Sequence, residues 1–420
     1  MGKRRSPILV AGCLTALLVL GILLAAVVAV IAFRYAGSAE PIDESGMHLT
    51  IPDIPDEENA YVQLQRAASL VEWKDDEYYY IQTMIDGTPE PPDLPQRFLE
   101  SRQEAVAALH RAFECEESVY PEFEDPDGEV KKEALESLAW ALWHDAERND
   151  DTEARLQLAL NLVDAGNLMK ESCGPLFVFL RGARLQRHGL IMLKRVCGQD
   201  DLSPEALKHA IGRVAVTQHD AQSLSSSIRA EYWITKELVD EELGSRQWQF
   251  WVYDEEQNTR GMLSEYRARI DSAERFYCDV VIPPNRGERP FLMLVLGGNV
   301  IGDIMTGIMV PLNANSFAGL AYDRSNNSAV QVLLALKVYH MRHGELPESL
   351  DALVPEFFDE LPRDWFDGGF IKYNREKALV YCVGADLVDN GGGDPEAKWT
   401  TTEDPSWSIS FANVSGQSDS

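Results

Sequence analysis

An uncharged apolar run near the N-terminus constrains this chain more than any other feature. Residues Pro7 to Phe33 contain no Asp, Glu, Lys or Arg, while Lys3, Arg4 and Arg5 precede the run and Arg34 follows it. A helix rises about 1.5 Å per residue, so a run of this length exceeds the roughly 30 Å hydrocarbon core of a bilayer. The sequence therefore predicts a cytoplasmic tail at 1–6 and a transmembrane anchor at 7–33.

The basic residues before the run set the predicted orientation. Positive charge is retained on the cytoplasmic side, which makes this a single-pass protein of the inner or cytoplasmic membrane with residues 35–420 outside the cytoplasm. A cleaved signal peptide is the alternative, since Gly37 and Ala39 suit a cleavage site. Its apolar region is normally only about 7 to 15 residues long, so the anchor is favoured.

The charge of the chain limits its partners. The formal net charge is −30, which repels nucleic acid and anionic lipid and favours cations, basic proteins or neutral ligands. We therefore expect contact with the membrane through the N-terminal helix, a protein partner at the helical domain, and no nucleic acid.

The middle of the chain has helical periodicity. A linker at 34–56, rich in Pro, Gly, Ser and acids, is followed by apolar stripes at helical spacing. The stripes are Leu99, Val106, Leu109 and Phe113; Leu135, Leu138 and Leu142; and Leu156, Leu160 and Val163. The pattern predicts a stack of helical hairpins over 57–324.

A second apolar stretch, residues 290–311, has two interpretations. Gly298 and Gly302 have the spacing of packed membrane helices, but Asp303 would cost about 2.5 to 3.5 kcal/mol at the centre of a span. We predict a buried core helix. A second span would instead return the C-terminal domain to the cytoplasm.

The last part of the chain changes to a mixed pattern. A helix is predicted at 327–343, followed by a turn at 344–347 and a short helix at 349–354. Strands are predicted at 370–373 and 379–383, and Trp407, Ile409 and Phe411 alternate with serines as in a half-buried strand. The sequence predicts a small α+β domain with a short antiparallel sheet at 325–412 and a disordered tail at 413–420.

The residues of this domain resemble the globular domain of type II secretion major pseudopilins. The matching positions are Ala335, Leu336 and Tyr339; Gly344 to Pro347; Leu350 to Val354; Leu361 to Asp364; Asp367 and Gly368; Tyr373; and Tyr381 to Asp386. The whole chain also resembles membrane-anchored bacterial envelope proteins of no known activity. The fold class is therefore predicted as mainly α, with an anchor, stacked hairpins and a pseudopilin-like end.

An acidic loop follows the second predicted strand. Carboxylates crowd residues 386–404 around Gly391 to Gly393, and hard cations prefer such oxygen ligands. In the pseudopilins this loop holds calcium, so the resemblance implies a Ca²⁺ site, for which we favour Asp386, Asp389, Asp394 and Asp404. A solvated acidic loop is the alternative.

The chain departs from the pseudopilins at two places. The apolar run lacks the glutamate of the family's N-terminal processing site, which argues against assembly into a pilus-like filament. Trp365 follows Asp364 where the family has proline, and the acidic loop is longer.

The cysteines offer one pair for a disulfide. Beyond Cys13 in the anchor the chain has Cys115, Cys173, Cys197, Cys278 and Cys382, with no C-x-x-C spacing. Small buried thiols are the main interpretation, and Cys173 with Cys197 is the pair to test.

No known catalytic motif occurs in the sequence. There is no G-x-S-x-G, H-E-x-x-H, phosphate-binding or dinucleotide-binding pattern. We therefore expect a membrane-anchored extracytoplasmic binding or scaffold protein with a calcium-stabilised C-terminal module. The alternative is an envelope hydrolase with a cryptic site in the helical domain.

Overall fold

The computed structural model describes residues 41–72, 83–84, 89, 91–121, 133–199, 201–215, 220–244, 253–281, 299–310, 312–401 and 403–410, together with residues 21, 22 and 25. Within these residues the chain is mainly helical and has a small three-stranded antiparallel sheet, as predicted. None of the helices in them is long and apolar enough to cross a membrane. The predicted tails at 1–6 and 413–420, nearly all of the predicted anchor at 7–33, and residues 290–298 of the second apolar stretch lie outside the described residues.

Eleven α-helices lie in the described part of the chain. They are α1 Ala60–Ser69, α2 Leu94–Glu100, α3 Gln103–Glu114, α4 Ala134–Arg148, α5 Thr152–Glu171, α6 Leu176–Cys197, α7 Pro204–Ala215, α8 Asp220–Gly244, α9 Glu255–Ala273, α10 Val300–Met309 and α11 Ala314–His343. Short 3₁₀ turns occur at Ser45–Met47, Tyr277–Asp279 and Leu350–Leu353.

Side-chain caps begin several of these helices. Asp151 accepts a hydrogen bond from the Ala154 amide at the start of α5, and Asn313 accepts one from the Ser316 amide at the start of α11. Each cap satisfies an amide that has no partner within its own helix.

The chain divides into two compact units, each with its own apolar contacts. The first comprises Met1–Gly46, Thr235–Ser264 and Pro284–Val310, and the second comprises Met47–Ile234, Glu265–Pro283 and Pro311–Ser420. One continuous core of the second unit includes Trp140 of α4, Leu334 of α11 and Trp407 of the sheet. Helices and sheet therefore share this core.

The stripe predicted from Leu99 to Phe113 does not lie on one helix. Helix α2 ends at Glu100 and α3 begins at Gln103, so Leu99 belongs to a different helix from Val106 and Leu109. Arg102 separates the helices with a non-helical backbone, and it is buried with Nη2 2.6 Å from the Glu72 carbonyl oxygen. The break was missed because the apolar spacing continues across it.

Helix α11 begins earlier than predicted. It starts at Ala314 after the Asn313 cap, not near Asn327, and ends at His343, which is followed by Gly344 in the left-handed conformation. Residues 324 and 325, where a domain boundary was predicted, lie inside this helix. The error arose because Arg324, Asn326 and their neighbours are polar, yet they are buried.

The sheet follows the predicted order of strands. Strands β1 Lys372–Asn374, β2 Leu379–Tyr381 and β3 Ser406–Ser408 form an antiparallel sheet in the order β1-β2-β3. Tyr373 lies opposite Val380, and Val380 lies opposite Trp407. Trp407 and Ile409 are buried while Ser408 is exposed, which confirms the alternation predicted for these residues.

The disulfide suggested between Cys173 and Cys197 is wrong. Cys173 lies just before α6 and Cys197 is the last residue of that 22-residue helix, which is about 33 Å long at 1.5 Å per residue. A disulfide needs Cα atoms within about 7 Å. All five cysteines in the described residues have free thiols.

Candidate functional site

Helix α6 has a charge pattern that sets it apart from the rest of the chain. Over Leu176–Cys197 it carries Arg181, Arg184, Arg187, Lys194 and Arg195 and not one acidic residue, although the chain has a net charge of −30. Two of these cations lie in the last turn, where the helix dipole favours positive charge.

One side of α6 is held against α5 by glycine. A Cβ atom at Gly182 would lie 2.6 Å from the Gly166 carbonyl oxygen, and one at Gly189 would lie 2.7 Å from the Ala159 carbonyl oxygen. Residues without a side chain allow the two backbones to approach this closely. The contact fixes which side of α6 faces outward.

The outward side combines basic and apolar residues, and we call it the basic face. Its residues recur at spacings of three and four, which places them on one side of a helix. They are Phe177, Arg181, Arg184, His188, Ile191 and Arg195, bordered by Leu180, Arg187 and Lys194. Phe177 is 42% exposed and Leu180 is 47% exposed, so apolar surface lies among the charges.

Buried or half-buried carboxylates orient two arginines of this face. Arg184 Nε lies 2.5 Å from Glu136 Oε1, and the Glu136 side chain is only 5% exposed. Arg187 forms two hydrogen bonds with Asp323. Arginine has five N–H donors, so a guanidinium held in this way still has donors to offer. The side chains of Arg184 and Arg187 are 34% and 43% exposed.

Aromatic rings support the other basic residues of the face. The Arg195 guanidinium lies 4.6 Å from the centroid of the Trp140 ring, and the Arg181 guanidinium lies 5.3 Å from that of Phe177. Both arrangements are cation–π contacts, which limit the motion of the long side chains.

His188 lies at the centre of the basic face. Trp140 donates a hydrogen bond to its Nδ1 over 3.1 Å, and its Nε2 lies 3.7 Å from Glu136 Oε1. Burial, followed by the positive charges of Arg184 and Arg187, lowers the pKa of His188 to about 4. His188 is therefore neutral at physiological pH and acts as a packed polar group.

The C-terminal loop approaches the far end of the same helix. Burial lowers the pKa of Lys194 to about 8, and the Glu396 carboxylate opposes that shift. The side chain of Trp399 stacks on Tyr322 with ring centroids 5.1 Å apart. These contacts fix the loop against α6 and α11.

The basic face was not predicted from the sequence. The available signal was the absence of any acid from residues 176–197, combined with arginines at spacings of three and four. The helices were predicted from apolar periodicity, which identifies the packed side of a helix and not its exposed side.

The four aspartates predicted to bind calcium all accept hydrogen bonds from backbone amides. Asp386 accepts from the Val388 amide, Asp394 from the Glu396 amide, and Asp389 from the Gly391 amide and the Tyr381 hydroxyl. Asp404 is fully buried, and its Oδ2 accepts from the amides of Asn390 and Gly392. The amide bonds to Asp386, Asp389 and Asp394 span two residues and are the turn-forming bonds typical of aspartate in loops, whereas Asp404 accepts from amides 14 and 12 residues away.

These aspartates are not gathered into one cluster. Among the described residues, no group of three or more His, Cys, Asp or Glu side chains is placed to hold a metal ion. The calcium site therefore stays a prediction of the resemblance, and carbonyl oxygens of the loop would have to supply most of the ligands.

Comparison with known proteins gives no relative. No protein family model, no curated protein and no solved structure matches the chain.

Proposed function

We propose that this chain is a membrane-anchored, extracytoplasmic binding protein whose basic face docks an acidic segment of a protein partner. One observation carries the proposal: the half-exposed side of α6 has only basic, apolar and neutral residues in a chain of net charge −30. The anchor and the orientation come from the apolar run at 7–33 and its basic flank.

A protein segment fits this face better than nucleic acid does. Phe177 and Leu180 lie among the arginines and offer apolar contact, which a phosphate backbone does not use. Arginine and exposed aromatic residues are enriched at protein interfaces. Glu136 and Asp323 already pair with Arg184 and Arg187, so a docked acidic segment would use the remaining N–H donors of these guanidinium groups.

The hydrolase alternative has less support than docking on the basic face. An open surface groove of about 470 Å³ is lined by Gln96, Leu99, Glu100, Gln103, Val106, Ala107, Leu142 and Asp145. Its ionisable side chains are the carboxylates of Glu100 and Asp145, and the lining contains no Ser, Thr, Cys, Lys or His. His188 with Glu136 is the other candidate pair, but a histidine with a pKa of about 4 is a weak base at neutral pH.

Binding of an acidic helical peptide tests the proposal directly. A fluorescent peptide with Glu and Leu at helical spacing is titrated with the full chain in detergent, at low and at physiological salt. Wild type should bind, and more weakly as salt rises. Arg181→Gln combined with Arg195→Gln should weaken binding by roughly tenfold, since a charge contact at the surface contributes up to about 1 kcal/mol.

The matched control is Arg260→Gln, because Arg260 is a half-exposed arginine of α9 that pairs with Glu256 on its own helix. This variant should bind the peptide like wild type. Equal loss in both variants, or no binding by wild type at low salt, would contradict docking on the basic face.

A further inference from the structure

Lys377 makes contacts that a bound cation would be expected to make in the acidic loop. Its Nζ donates hydrogen bonds to the carbonyl oxygens of Gly391 and Gly392, over 2.9 and 3.2 Å. Both glycines have positive φ, at 80° and 87°, a conformation that other residues rarely adopt. The loop thus turns two successive carbonyl groups towards one ammonium group.

The turn between β1 and β2 holds Lys377 in place. Asn374 Oδ1 accepts from the Lys377 amide over 3.0 Å, and Asn374 Nδ2 donates to the Gly391 carbonyl oxygen over 3.1 Å. The same asparagine therefore orients the lysine backbone and one of the carbonyl groups to which the lysine binds.

Asp404 contacts backbone amides of the same loop segment, whereas Lys377 contacts its carbonyl groups. Its Oδ2 accepts from the amides of Asn390 and Gly392, over 2.8 and 2.9 Å. Calcium would need carboxylate and carbonyl oxygens aimed at one point. Here Asp404 is directed at N–H groups, while the carbonyl oxygens of Gly391 and Gly392 are directed at Lys377.

We propose that Lys377 is a built-in counter-cation that closes the acidic loop without a divalent metal. The segment 390–392 lies between the ammonium group of Lys377, which donates to the Gly391 and Gly392 carbonyl groups, and the carboxylate of Asp404, which accepts from the Asn390 and Gly392 amides. The other three predicted ligands, Asp386, Asp389 and Asp394, stay at the surface and shape turns. This donor set differs from the calcium site that the pseudopilin resemblance implies.

Amide hydrogen exchange of the full chain in detergent tests this assignment. The measurement follows peptides covering 386–404 by mass spectrometry, with excess calcium chloride and with excess EDTA. Wild type should show the same protection in both. Lys377→Met, which keeps the aliphatic stem, should speed exchange of the Asn390 and Gly392 amides by roughly fivefold, while Lys377→Arg should stay near wild type.

Lys208→Met is the matched control, since Lys208 lies in an exposed ion pair with Glu356 away from the loop. It should leave exchange of 386–404 unchanged. If calcium slows amide exchange of 386–404 in Lys377→Met but not in wild type, the result supports the proposal, because loss of the ammonium group releases the two carbonyl groups. Protection of the wild-type loop by calcium, or an unaltered loop in Lys377→Met, would overturn it.

Discussion

Arg187 of α6 and Asp323 of α11 form a two-point ion pair. The Nε to Oδ1 distance is 2.9 Å and the Nη2 to Oδ2 distance is 2.8 Å. Burial alone would lower the pKa of Arg187, but the adjacent Asp323 carboxylate outweighs it and the pKa is raised. The pair fixes one edge of the basic face to the central helix of the second unit.

Replacing Asp323 by Asn should weaken this connection. We expect Asp323→Asn to lower the free energy of unfolding by about 1 kcal/mol, because charged hydrogen bonds are lost but the 43% exposed Arg187 side chain regains water. Chemical denaturation gives the value. Glu256→Gln removes an exposed pair within α9 and should cost less than about 0.5 kcal/mol. A smaller effect for Asp323→Asn than for Glu256→Gln would exclude a structural role for the pair.

The close contact between α5 and α6 gives a sharper test. A Cβ at Gly182 would lie 2.6 Å from the Gly166 carbonyl oxygen and 2.9 Å from the Lys170 backbone nitrogen. Gly182→Ala should therefore destabilise the protein by about 1–3 kcal/mol or more, since the backbones must separate. Its control is Gly212→Ala in α7, where the added Cβ meets nothing within 4 Å.

Gly212→Ala should instead raise the free energy of unfolding by about 0.5–1 kcal/mol, because alanine has the better helix propensity and a more restricted unfolded state. Thermal melts of both variants compare the two sites. Equal effects at Gly182 and Gly212 would mean that α5 and α6 are less closely packed than described.

The lowered pKa of His188 predicts that the folded protein loses stability in acid. Its pKa falls from 6.5 to about 4 in the folded protein, so the unfolded chain binds the proton more tightly. The stabilising contribution is complete above pH 6.5 and is lost as the pH falls from 6.5 towards 4. A shift of this size corresponds to at most about 3 kcal/mol.

The variant His188→Asn isolates this effect, because an amide oxygen can still accept from Trp140 and does not titrate. Unfolding by denaturant at several pH values should show a steeper acid loss for wild type than for His188→Asn. Parallel curves would assign the acid sensitivity to other groups.

The fold was easier to predict than the site. Gly344, Pro347 and the alternation around Trp407 carry local signals for a turn and a strand, and both are present. The start of α11 was missed, because burial of Arg324 and Asn326 depends on partners distant in sequence, such as the Ala273 carbonyl oxygen that Arg324 Nη1 contacts over 3.1 Å.

The acidic loop shows why composition alone does not define a site. Counting carboxylates in 386–404 predicts a cation, but the direction of each carboxylate depends on backbone turns. Asp389 accepts from Gly391, two residues away, and Lys377 reaches the loop from a different turn. A count of the charges in the loop does not predict either contact.

The cysteine geometry predicts free thiols under oxidising conditions. Because α6 separates Cys173 from Cys197, trapping with an alkylating reagent followed by non-reducing peptide mapping should recover no peptide linked through these two residues. Modification should be fast at the exposed Cys278 and slow at the buried Cys197, whose pKa burial raises to about 12. A linked 173–197 peptide from folded protein would contradict the placement of α6.

Substitutions at Asp404 and Asp394 compare a buried carboxylate that supports the loop with a carboxylate at the surface. Asp404→Ala removes a buried carboxylate that accepts from the Asn390 and Gly392 amides, so the free energy of unfolding should fall by about 1–3 kcal/mol. Asp394→Ala removes one exposed turn bond, to the Glu396 amide, and should stay within about 0.5 kcal/mol of wild type.

If Asp404 and Asp394 were both calcium ligands, each variant would instead lose the same metal-dependent increment of stability, and EDTA would abolish the difference from wild type. Denaturation of both variants with calcium and with EDTA distinguishes these outcomes, because a cost for Asp404→Ala that persists in EDTA is expected only when the carboxylate acts on the loop's own amides.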